Sequence, residues 1–180
     1  QTNPKAHFMT KRFISPIENE TVMLRLLEEA DLPRTLSWRN KENIRRWFLT
    51  TDVIPFEKHL AWFNRYQSLD TDFVFVILAR ELNFKPVGQI SLYAIDWQAQ
   101  VGEYGRLMIG EADARGKGLA RSASLLLLQI GFEILGLKEI VLEVKQDNLS
   151  AVSVYRSIGF QETMTENGLI KMKIRTDQVN

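Results

Sequence analysis

Arg115-Gly116-Lys117-Gly118-Leu119-Ala120 carries the strongest signal in this chain for both architecture and chemistry. It lies between a strand-like run over residues 105–109 and a helix-like run over residues 120–135. Glycines without a Cβ let the backbone approach a ligand closely and expose its N–H groups. The helix that follows directs the positive end of its dipole at the same point, and Arg121 adds to the basic side chains there. The pattern therefore predicts a pyrophosphate site at a strand-to-helix turn.

The composition excludes several classes of protein. The 180 residues suffice for one domain with a sizeable core, and a formal net charge of +1 argues against nucleic acid or an anionic membrane as partner. The chain has no cysteine, so a disulfide framework, a thiolate nucleophile and a cysteine metal site are excluded. The two histidines, His7 and His59, lack metal-ligand spacing, so no metal is expected. No apolar run is long enough to span a bilayer, and we expect a cytoplasmic monomer or homodimer.

The domain organisation is expected to be simple. Residues 1–21 are polar and weakly patterned, without the apolar centre of a signal peptide, and are interpreted as an N-terminal extension. Part of that extension can be a non-native addition, with Met9 as the native start. Residues 22–176 are predicted to form the single domain, and residues 177–180 a tail.

Hydrophobic periodicity predicts alternating strands and helices. Asp31 is the expected N-cap of the first helix, and either Asn148 or Ser150 begins the last one, which ends at Gly159. Asn167-Gly168 predicts a tight hairpin turn. Strands are expected over residues 22–27, 73–79, 87–95, 102–109, 140–145, 160–165 and 169–174, and helices over residues 33–39, 43–48, 56–66, 120–135 and 148–158. The helix over residues 120–135 is expected to bury one stripe, formed by Ala123, Leu126, Leu127, Ile130 and Ile134. This order predicts a mixed α/β sheet with helices on both faces.

Gly105 lies inside the strand that precedes the glycine turn. A glycine within a strand often marks a β-bulge or the close approach of another group. A bulge here would leave backbone N–H and C=O groups unpaired. The strand could then bind an extended ligand that carries amide groups.

The glycine turn fits the pattern Q/R-x-x-G-x-G/A, and a second motif follows it at residues 148–160, Asn-Leu-Ser-Ala-Val-Ser-Val-Tyr-Arg-Ser-Ile-Gly-Phe. Together the two motifs resemble the acetyl-coenzyme A site of the GNAT N-acetyltransferases. The resemblance is specific because two separated motifs agree, with a strand of suitable length between them. It covers residues 22–174 and is strongest from Glu103 to Phe160.

The resemblance implies a GNAT-like fold with a largely antiparallel central sheet that is splayed at the acetyl-CoA site. It implies that backbone groups of Leu107, Met108 and Ile109 hold the pantetheine arm and that Asn148 contacts the cofactor. It places Tyr155 near the thioester sulfur. The residues expected at the pyrophosphate are those of the glycine turn, Arg115, Gly116, Lys117, Gly118, Leu119 and Ala120.

Acetyl transfer to a primary amine requires that the amine lose a proton and that the departing thiolate gain one. Tyr155, with an ordinary pKa of about 10, is a candidate acid. Glu103 is a candidate base, acting directly or through water. Each also has a structural alternative, since Tyr155 can be a packed helix residue and Glu103 a solvated strand residue.

The acceptor pocket is expected around Trp38-Arg39-Asn40, with Trp47, His59 and Tyr93 as further contacts. The Trp-Arg-Asn stretch followed by residues 57–63 resembles GNAT enzymes that acetylate amino groups on nucleotide-linked sugars, and also the ribosomal-protein and polyamine branch. Aromatic rings can stack on a base or a sugar, and guanidinium groups pair with phosphate. The alternative is that these aromatic side chains belong to the core.

The function expected is acetyl-CoA-dependent transfer of acetyl to the primary amine of a small molecule, with an amino sugar nucleotide favoured. Acetylation of a protein N-terminus or of a polyamine is an alternative. An alternative of another class is a non-catalytic acyl-CoA-binding module.

Overall fold

The computed structural model of the chain describes residues 11–180. Its strands are β1 (Ile17–Glu18), β2 (Val22–Leu26), β3 (Phe73–Ala79), β4 (Lys85–Asp96), β5 (Val101–Ile109), β6 (Glu139–Lys145), β7 (Gln161–Glu166) and β8 (Leu169–Arg175). Its helices are α1 (Leu32–Arg39), α2 (Glu42–Arg45), α3 (Phe56–Tyr66), α4 (Leu119–Gln129) and α5 (Leu149–Ile158). The predicted alternation of strands and helices is confirmed. His7 and Met9 lie outside the described residues.

The eight strands form one sheet in the order β1-β2-β3-β4-β5-β6-β8-β7. Every neighbouring pair is antiparallel except β5 and β6, which are parallel. The predicted mixed, largely antiparallel sheet is therefore confirmed. Within residues 11–180, the only parallel pairing joins the first residues of β5 to β6, at the end of β5 away from the glycine turn.

Helices cover both faces of the sheet, as predicted. β3 shows the arrangement, because all its residues are buried and alternate between two apolar clusters. Phe73, Phe75 and Ile77 face the cluster that includes side chains of α4 and α5. The intervening residues of β3 pack with Leu32 of α1 and with Phe63 of α3.

The helix predicted over residues 120–135 changes form partway. α4 ends at Gln129, and Ile130–Ile134 continue as a π-helical turn. The wider turn rotates the residues that follow, so Ile134 is 51% exposed and its predicted place in the buried stripe is wrong. Gly131 is needed inside this turn because a Cβ there would lie 2.7 Å from Cδ1 of Ile140 and 3.1 Å from Cδ1 of Leu92.

Asp31 stands at the N-cap of α1, but its side chain makes no capping hydrogen bond. Its carboxylate instead accepts hydrogen bonds from both terminal nitrogens of Arg25, at 2.7 and 2.8 Å, and from the backbone N–H of Glu28, at 2.9 Å. Burial by itself would raise the pKa of Asp31, but these hydrogen bonds outweigh it and hold the pKa below its ordinary value. The predicted N-cap position is confirmed, but an ion pair with Arg25 holds the side chain in place of a capping hydrogen bond.

Part of the segment predicted as an extension packs on the sheet. Ile14 is buried in the main core, and β1 pairs with β2. Arg12 pairs with Asp70 at 2.8 Å and stacks over the ring of Trp97 at 3.9 Å. At the other end of the chain, the backbone N–H of Asn180 donates to the carbonyl of Ile158 at 2.7 Å.

Within residues 11–180, no helix combines the length and the hydropathy that a membrane crossing needs. The same residues contain no cluster of three or more side chains suited to hold a metal ion.

Candidate active site

The sheet opens between its two central strands. β5 and β6 pair only over three positions, Val101 to Glu103 with Glu139 to Val141, although both strands continue beyond them. The gap between the separated ends holds a cavity of about 690 Å³. Leu107, Met108 and Ile109 line it from β5, and Glu143, Val144 and Lys145 line it from β6. An extended ligand can therefore enter between the strands.

A β-bulge shapes the β5 wall of this cavity. The pairing partners of Gln89 and Ser91 on β4 are Met108 and Gly105, so Arg106 and Leu107 together face the single residue Ile90. Arg106 adopts a left-handed φ of 53°, which is uncommon for a non-glycine residue and concentrates at functional sites. The bulge expected near Gly105 is confirmed, one residue further along the strand.

The glycine turn closes one end of the cavity. Gly116 and Gly118 have φ values of 72° and 71°, and a Cβ at either would meet no atom within 4 Å. Backbone conformation, and not packing, therefore requires glycine there. Within the described chain, no backbone N–H from Gly116 to Arg121 donates to another protein group. These free donors at the N-terminus of α4 fit a pyrophosphate.

The basic side chains of the turn are held by neighbours on the protein. Lys117 pairs with Glu81 at 3.2 Å, and Nε of Arg121 donates to the hydroxyl of Ser157 at 3.3 Å. Arg115 lines the cavity, and the side-chain oxygen of Asn43 accepts from its guanidinium at 3.0 Å when the amide is oriented to do so. Only Arg115 of the three thus has its side chain in the cavity wall.

Helix α5 brings a polar cap and a phenol to the opposite wall. Oδ1 of Asn148 accepts from the backbone N–H of Ala151 at 3.4 Å, so Asn148 is the N-cap, and its side-chain N–H groups have no partner within residues 11–180. Tyr155 is only 7% exposed and lines the cavity. Burial raises the pKa of Tyr155 to about 12, so the phenol keeps its proton at neutral pH.

Tyr155 is fixed by an aromatic cluster with Tyr104 and Phe160. Its ring centroid lies 5.3 Å from that of Tyr104 and 6.0 Å from that of Phe160, both edge to face. The hydroxyl of Tyr104 in turn lies 2.7 Å from Oγ of Ser124 on α4. Sequence reasoning overlooked Tyr104, although its alternation with Glu103 in β5 places it on the face toward α4.

Glu103 lies on the other face of β5 from Tyr104 and also lines the cavity. Its Oε1 accepts a hydrogen bond from the hydroxyl of Tyr93 at 3.1 Å. A carboxylate and a protonated phenol, Tyr155, thus reach one cavity from opposite faces of the sheet. This arrangement can remove a proton on one side and supply one on the other.

The six residues predicted for the acceptor pocket divide into two groups. Arg39, Trp47 and Tyr93 line the cavity, together with Phe48 and Leu49 of the loop after α2. Trp38, Asn40 and His59 do not line it.

Packing and hydrogen bonding account for the second group. Trp38 packs with Ile44 and Met108, and its indole covers Gly110, where a Cβ would lie 2.1 Å from it. The side chain of Asn40 exchanges two 2.9 Å hydrogen bonds with the backbone of Ile54. His59 stacks on Trp62 with centroids 5.4 Å apart, and burial lowers the pKa of its imidazole.

Sequence reasoning overlooked two residues that lie beside Tyr93, namely Asp72 and Arg106. Asp72 precedes β3 and pairs with Arg106 at 2.7 Å. Arg106 also stacks over the ring of Tyr93 at 4.2 Å. The sequence contains no local pattern that connects positions 72, 93 and 106, because they meet only where three strands lie side by side.

The chain matches known proteins over most of its length. The family model of the acetyltransferase (GNAT) domain matches residues 21–161. Spermidine N(1)-acetyltransferase of Vibrio cholerae serotype O1 is 28% identical over 144 residues, which are 80% of this chain and 81% of that protein.

Solved structures agree. The crystal structure of spermidine N-acetyltransferase from Vibrio cholerae, in complex with CoA and spermine, has a TM-score of 0.80 at 25% identity and covers 89% of this chain and 98% of that one. The apo structure of FdhC, a nucleotide-linked sugar GNAT, has the same fold, with a TM-score of 0.80 at 20% identity over 91% of this chain and 92% of its own. The splayed sheet, the free amides of the glycine turn and the family match agree, and the chain belongs to the GNAT acetyltransferases as an acetyl-CoA-dependent N-acetyltransferase.

Proposed function

We propose that the enzyme acetylates the primary amine of a small molecule that also carries an anionic group, with an amino sugar nucleotide as the favoured acceptor. The observation that carries this proposal is the environment of Arg39.

Arg39 offers an unused cationic donor in the cavity wall. The residue is only 8% exposed and lines the cavity. Nη2 donates to the carbonyl of Thr50, but Nη1 is buried without a hydrogen-bond partner, and no carboxylate among residues 11–180 forms an ion pair with this guanidinium. Burial and the nearby positive charge of Arg45 lower the pKa of Arg39. A buried charged donor without an acceptor is unfavourable, and a phosphate oxygen on the acceptor would satisfy it.

Aromatic side chains beside Arg39 suit the remainder of such an acceptor. The guanidinium lies over the ring of Phe48 at 4.1 Å, and Trp47 lines the same wall. Arg46 stacks over Trp47 at 4.9 Å. Flat aromatic and guanidinium faces can stack on a nucleobase or a sugar ring. The wall therefore provides both of the contacts that a nucleotide-linked sugar needs.

Acetyl-CoA would occupy the opposite part of the cavity and supplies the activated acetyl group. Backbone groups of Leu107, Met108 and Ile109, unpaired on the β6 side, would hold its pantetheine arm. The residues of the turn, Arg115, Gly116, Lys117, Gly118, Leu119 and Ala120, would hold its pyrophosphate, chiefly through backbone N–H groups. The free side-chain N–H groups of Asn148 would contact its amide-bearing arm.

Glu103 and Tyr155 would divide the proton transfers between them. Glu103, directly or through one water, would take the proton of the amine that enters from the acceptor side. Tyr155 would give its proton to the departing thiolate, and the raised pKa of its phenol means that this proton is still present near neutral pH when the thiolate departs.

A polyamine acceptor is the second candidate, favoured by the 28% identity to spermidine N(1)-acetyltransferase. A polyamine is a polycation and needs carboxylates along its length. Glu103 and Glu143 line the cavity, but so do Arg39, Arg46 and Lys145, even when Arg115, assigned to the pyrophosphate, and Arg106, paired with Asp72, are set aside. This balance of charge favours an anionic acceptor over a polycation.

The test measures release of coenzyme A thiol from acetyl-CoA with three classes of acceptor. These are UDP-linked amino sugars, polyamines such as spermidine, and peptides with a free N-terminus. We expect the amino sugar nucleotide to give the highest kcat/KM. Faster reaction with spermidine would overturn the preference for an anionic acceptor and support the polyamine alternative.

Replacing the cationic side chain links the preference to its proposed cause. Arg39→Gln should raise the KM of an anionic acceptor about tenfold or more, the effect of one charge-assisted hydrogen bond, without changing the KM of acetyl-CoA. Arg65→Gln removes one positive charge from an exposed position on α3 and serves as the matched control. An equal change in both variants would show that overall charge, and not Arg39, determines the preference.

A further inference from the structure

Four polar side chains contact one another in sequence beside the cavity, and we call this series the positioning chain. It runs from Glu103 on β5 to Tyr93 on β4, then to Arg106 on β5 and Asp72 before β3. We propose that Tyr93, Arg106 and Asp72 are positioning residues that orient the Glu103 carboxylate toward the acceptor amine. The inference rests on the proposed function, in which Glu103 removes the proton of the amine.

The first link holds one carboxylate oxygen and leaves the other free. Tyr93 and Glu103 are direct cross-strand partners, and the Tyr93 hydroxyl donates to Oε1 at 3.1 Å. Oε2 accepts no hydrogen bond from any group in residues 11–180, and Glu103 lines the cavity. An unrestrained glutamate samples many rotamers, so a bond to one oxygen restricts where the other can lie.

The second link restrains the Tyr93 side chain at its ring and at its hydroxyl. The guanidinium of Arg106 lies over the ring at 4.2 Å. Gly105 provides the space for the hydroxyl, since a Cβ there would lie 2.9 Å from the Tyr93 oxygen. The left-handed φ of 53° at Arg106 belongs to the same bulge, so the bulge places both neighbours of the ring.

The third link fixes Arg106. Its two terminal nitrogens donate to the two oxygens of Asp72 at 2.7 and 3.2 Å, the paired geometry that restrains a guanidinium most strongly. Asp72 is only 7% exposed, which shields the pair from solvent. The ring of Trp62 on α3 lies 5.6 Å from the guanidinium.

A series of side-chain contacts that only stabilised the fold would not need to end at a cavity. Here the buried end, Asp72, lies directly before β3, and the other end is the free oxygen of Glu103. Each member restrains the next, so the orientation of the carboxylate is determined by the register of β3, β4 and β5. The physical role is to reduce the number of conformations in which the base cannot reach the amine.

Tyr93→Phe tests the chain because it removes one hydroxyl and keeps the ring that packs on Arg106. The rate of thiol release is measured with the most active acceptor of the panel above, or with water as acceptor if no amine reacts. We expect kcat to fall about tenfold or more, the kinetic equivalent of one hydrogen bond to a charged group, with the KM of acetyl-CoA unchanged.

Two further variants separate positioning from stability. Tyr66→Phe is the matched control, because Tyr66 is not one of the four residues of the positioning chain. Its hydroxyl accepts a hydrogen bond from the backbone N–H of Val74 at 3.0 Å. It should lower the midpoint of unfolding and leave kcat unchanged. Asp72→Asn keeps the size of the side chain but removes its charge, and should lower kcat in the same direction as Tyr93→Phe by a smaller factor.

The outcomes distinguish this inference from the proposed function. Glu103→Gln with full activity would refute the role of Glu103 as base, and the positioning chain with it. Loss of activity in Glu103→Gln but not in Tyr93→Phe would overturn the positioning chain alone. Reaction with water only would contradict the proposed acceptor, and the ratio of the Tyr93→Phe rate to the wild-type rate would still decide for or against the chain.

Discussion

The two ends of the cavity are built by different means. The end that we propose for acetyl-CoA consists mainly of backbone groups, the amides after Gly116 and the unpaired edge of β5. The end that we propose for the acceptor consists of side chains, notably Arg39, Tyr93 and Glu103, that arrive from separate elements. Backbone sites follow from local conformation, whereas side-chain sites follow from how elements pack. The difference explains why the first could be located in the sequence and the second only in part.

The largest effect is expected where the two ends meet, at Tyr155. Tyr155→Phe should lower kcat about 100-fold, because the leaving thiolate would lack its proton donor, with little change in acetyl-CoA affinity. Rates of thiol release and calorimetric titration of acetyl-CoA measure the two quantities.

The pH dependence of the wild-type enzyme tests the same residue. Since burial raises the pKa of Tyr155 to about 12, wild-type kcat should not decline through ionisation of this acid up to about pH 10. Unchanged kcat in Tyr155→Phe would show that the residue only packs in its aromatic cluster.

A smaller effect is expected from Gly110, which tests how tightly the cluster of Trp38, Ile44 and Met108 behind the cavity wall is packed. A Cβ at Gly110 would lie 2.1 to 2.4 Å from atoms of the Trp38 ring, which is 2% exposed and has no space into which to move. Gly110→Ala should lower the free energy of unfolding by about 1 to 3 kcal/mol, as overpacking does. Chemical denaturation measures it. Unchanged stability would mean that this wall is more adaptable than its packing indicates.

The smallest effect is expected from Gly118, which tests the backbone end. A Cβ there meets no atom within 4 Å, but the φ of 71° is unfavourable for alanine. Gly118→Ala should cost about 1 kcal/mol of backbone strain and lower acetyl-CoA affinity, since relief of the strain turns the amides away from the pyrophosphate.

Gly168→Ala is the matched control for Gly118→Ala. Gly168 has a φ of 76° and equally open surroundings, but it lies in the β7–β8 turn. It should lose similar stability and keep full affinity for acetyl-CoA in calorimetric titration. Equal loss of affinity in the two variants would show that strain, and not the position of the amides, is responsible.

Local rules were sufficient for much of the fold. β3 spans Phe73–Ala79 as predicted because seven consecutive buried apolar residues favour a strand covered on both faces. Asn167 and Gly168 have φ values of 53° and 76°, the conformation that an Asn-Gly hairpin turn needs. Asn148 and Gly159 begin and end α5 for equally local reasons.

The misses involve specific side-chain contacts, which capping rules and hydrophobic periodicity do not describe. Asp31 was expected to cap a helix, but Arg25 holds its carboxylate. Ile134 was expected in the core, but a π-helical turn that lets Gly131 approach the sheet rotates it outward. Trp38, Asn40 and His59 were expected at the acceptor, but each is used within the fold.

Backbone conformation and hydrophobic period depend on neighbours within a few residues, so the order of elements, the glycine turn and the glycine that ends α5 could be derived from the residue order alone. The opening between β5 and β6, the free donor of Arg39 and the contact of Asp72 with Arg106 could not. They depend on which strands lie side by side and which buried groups lack partners, and both are properties of the packed chain.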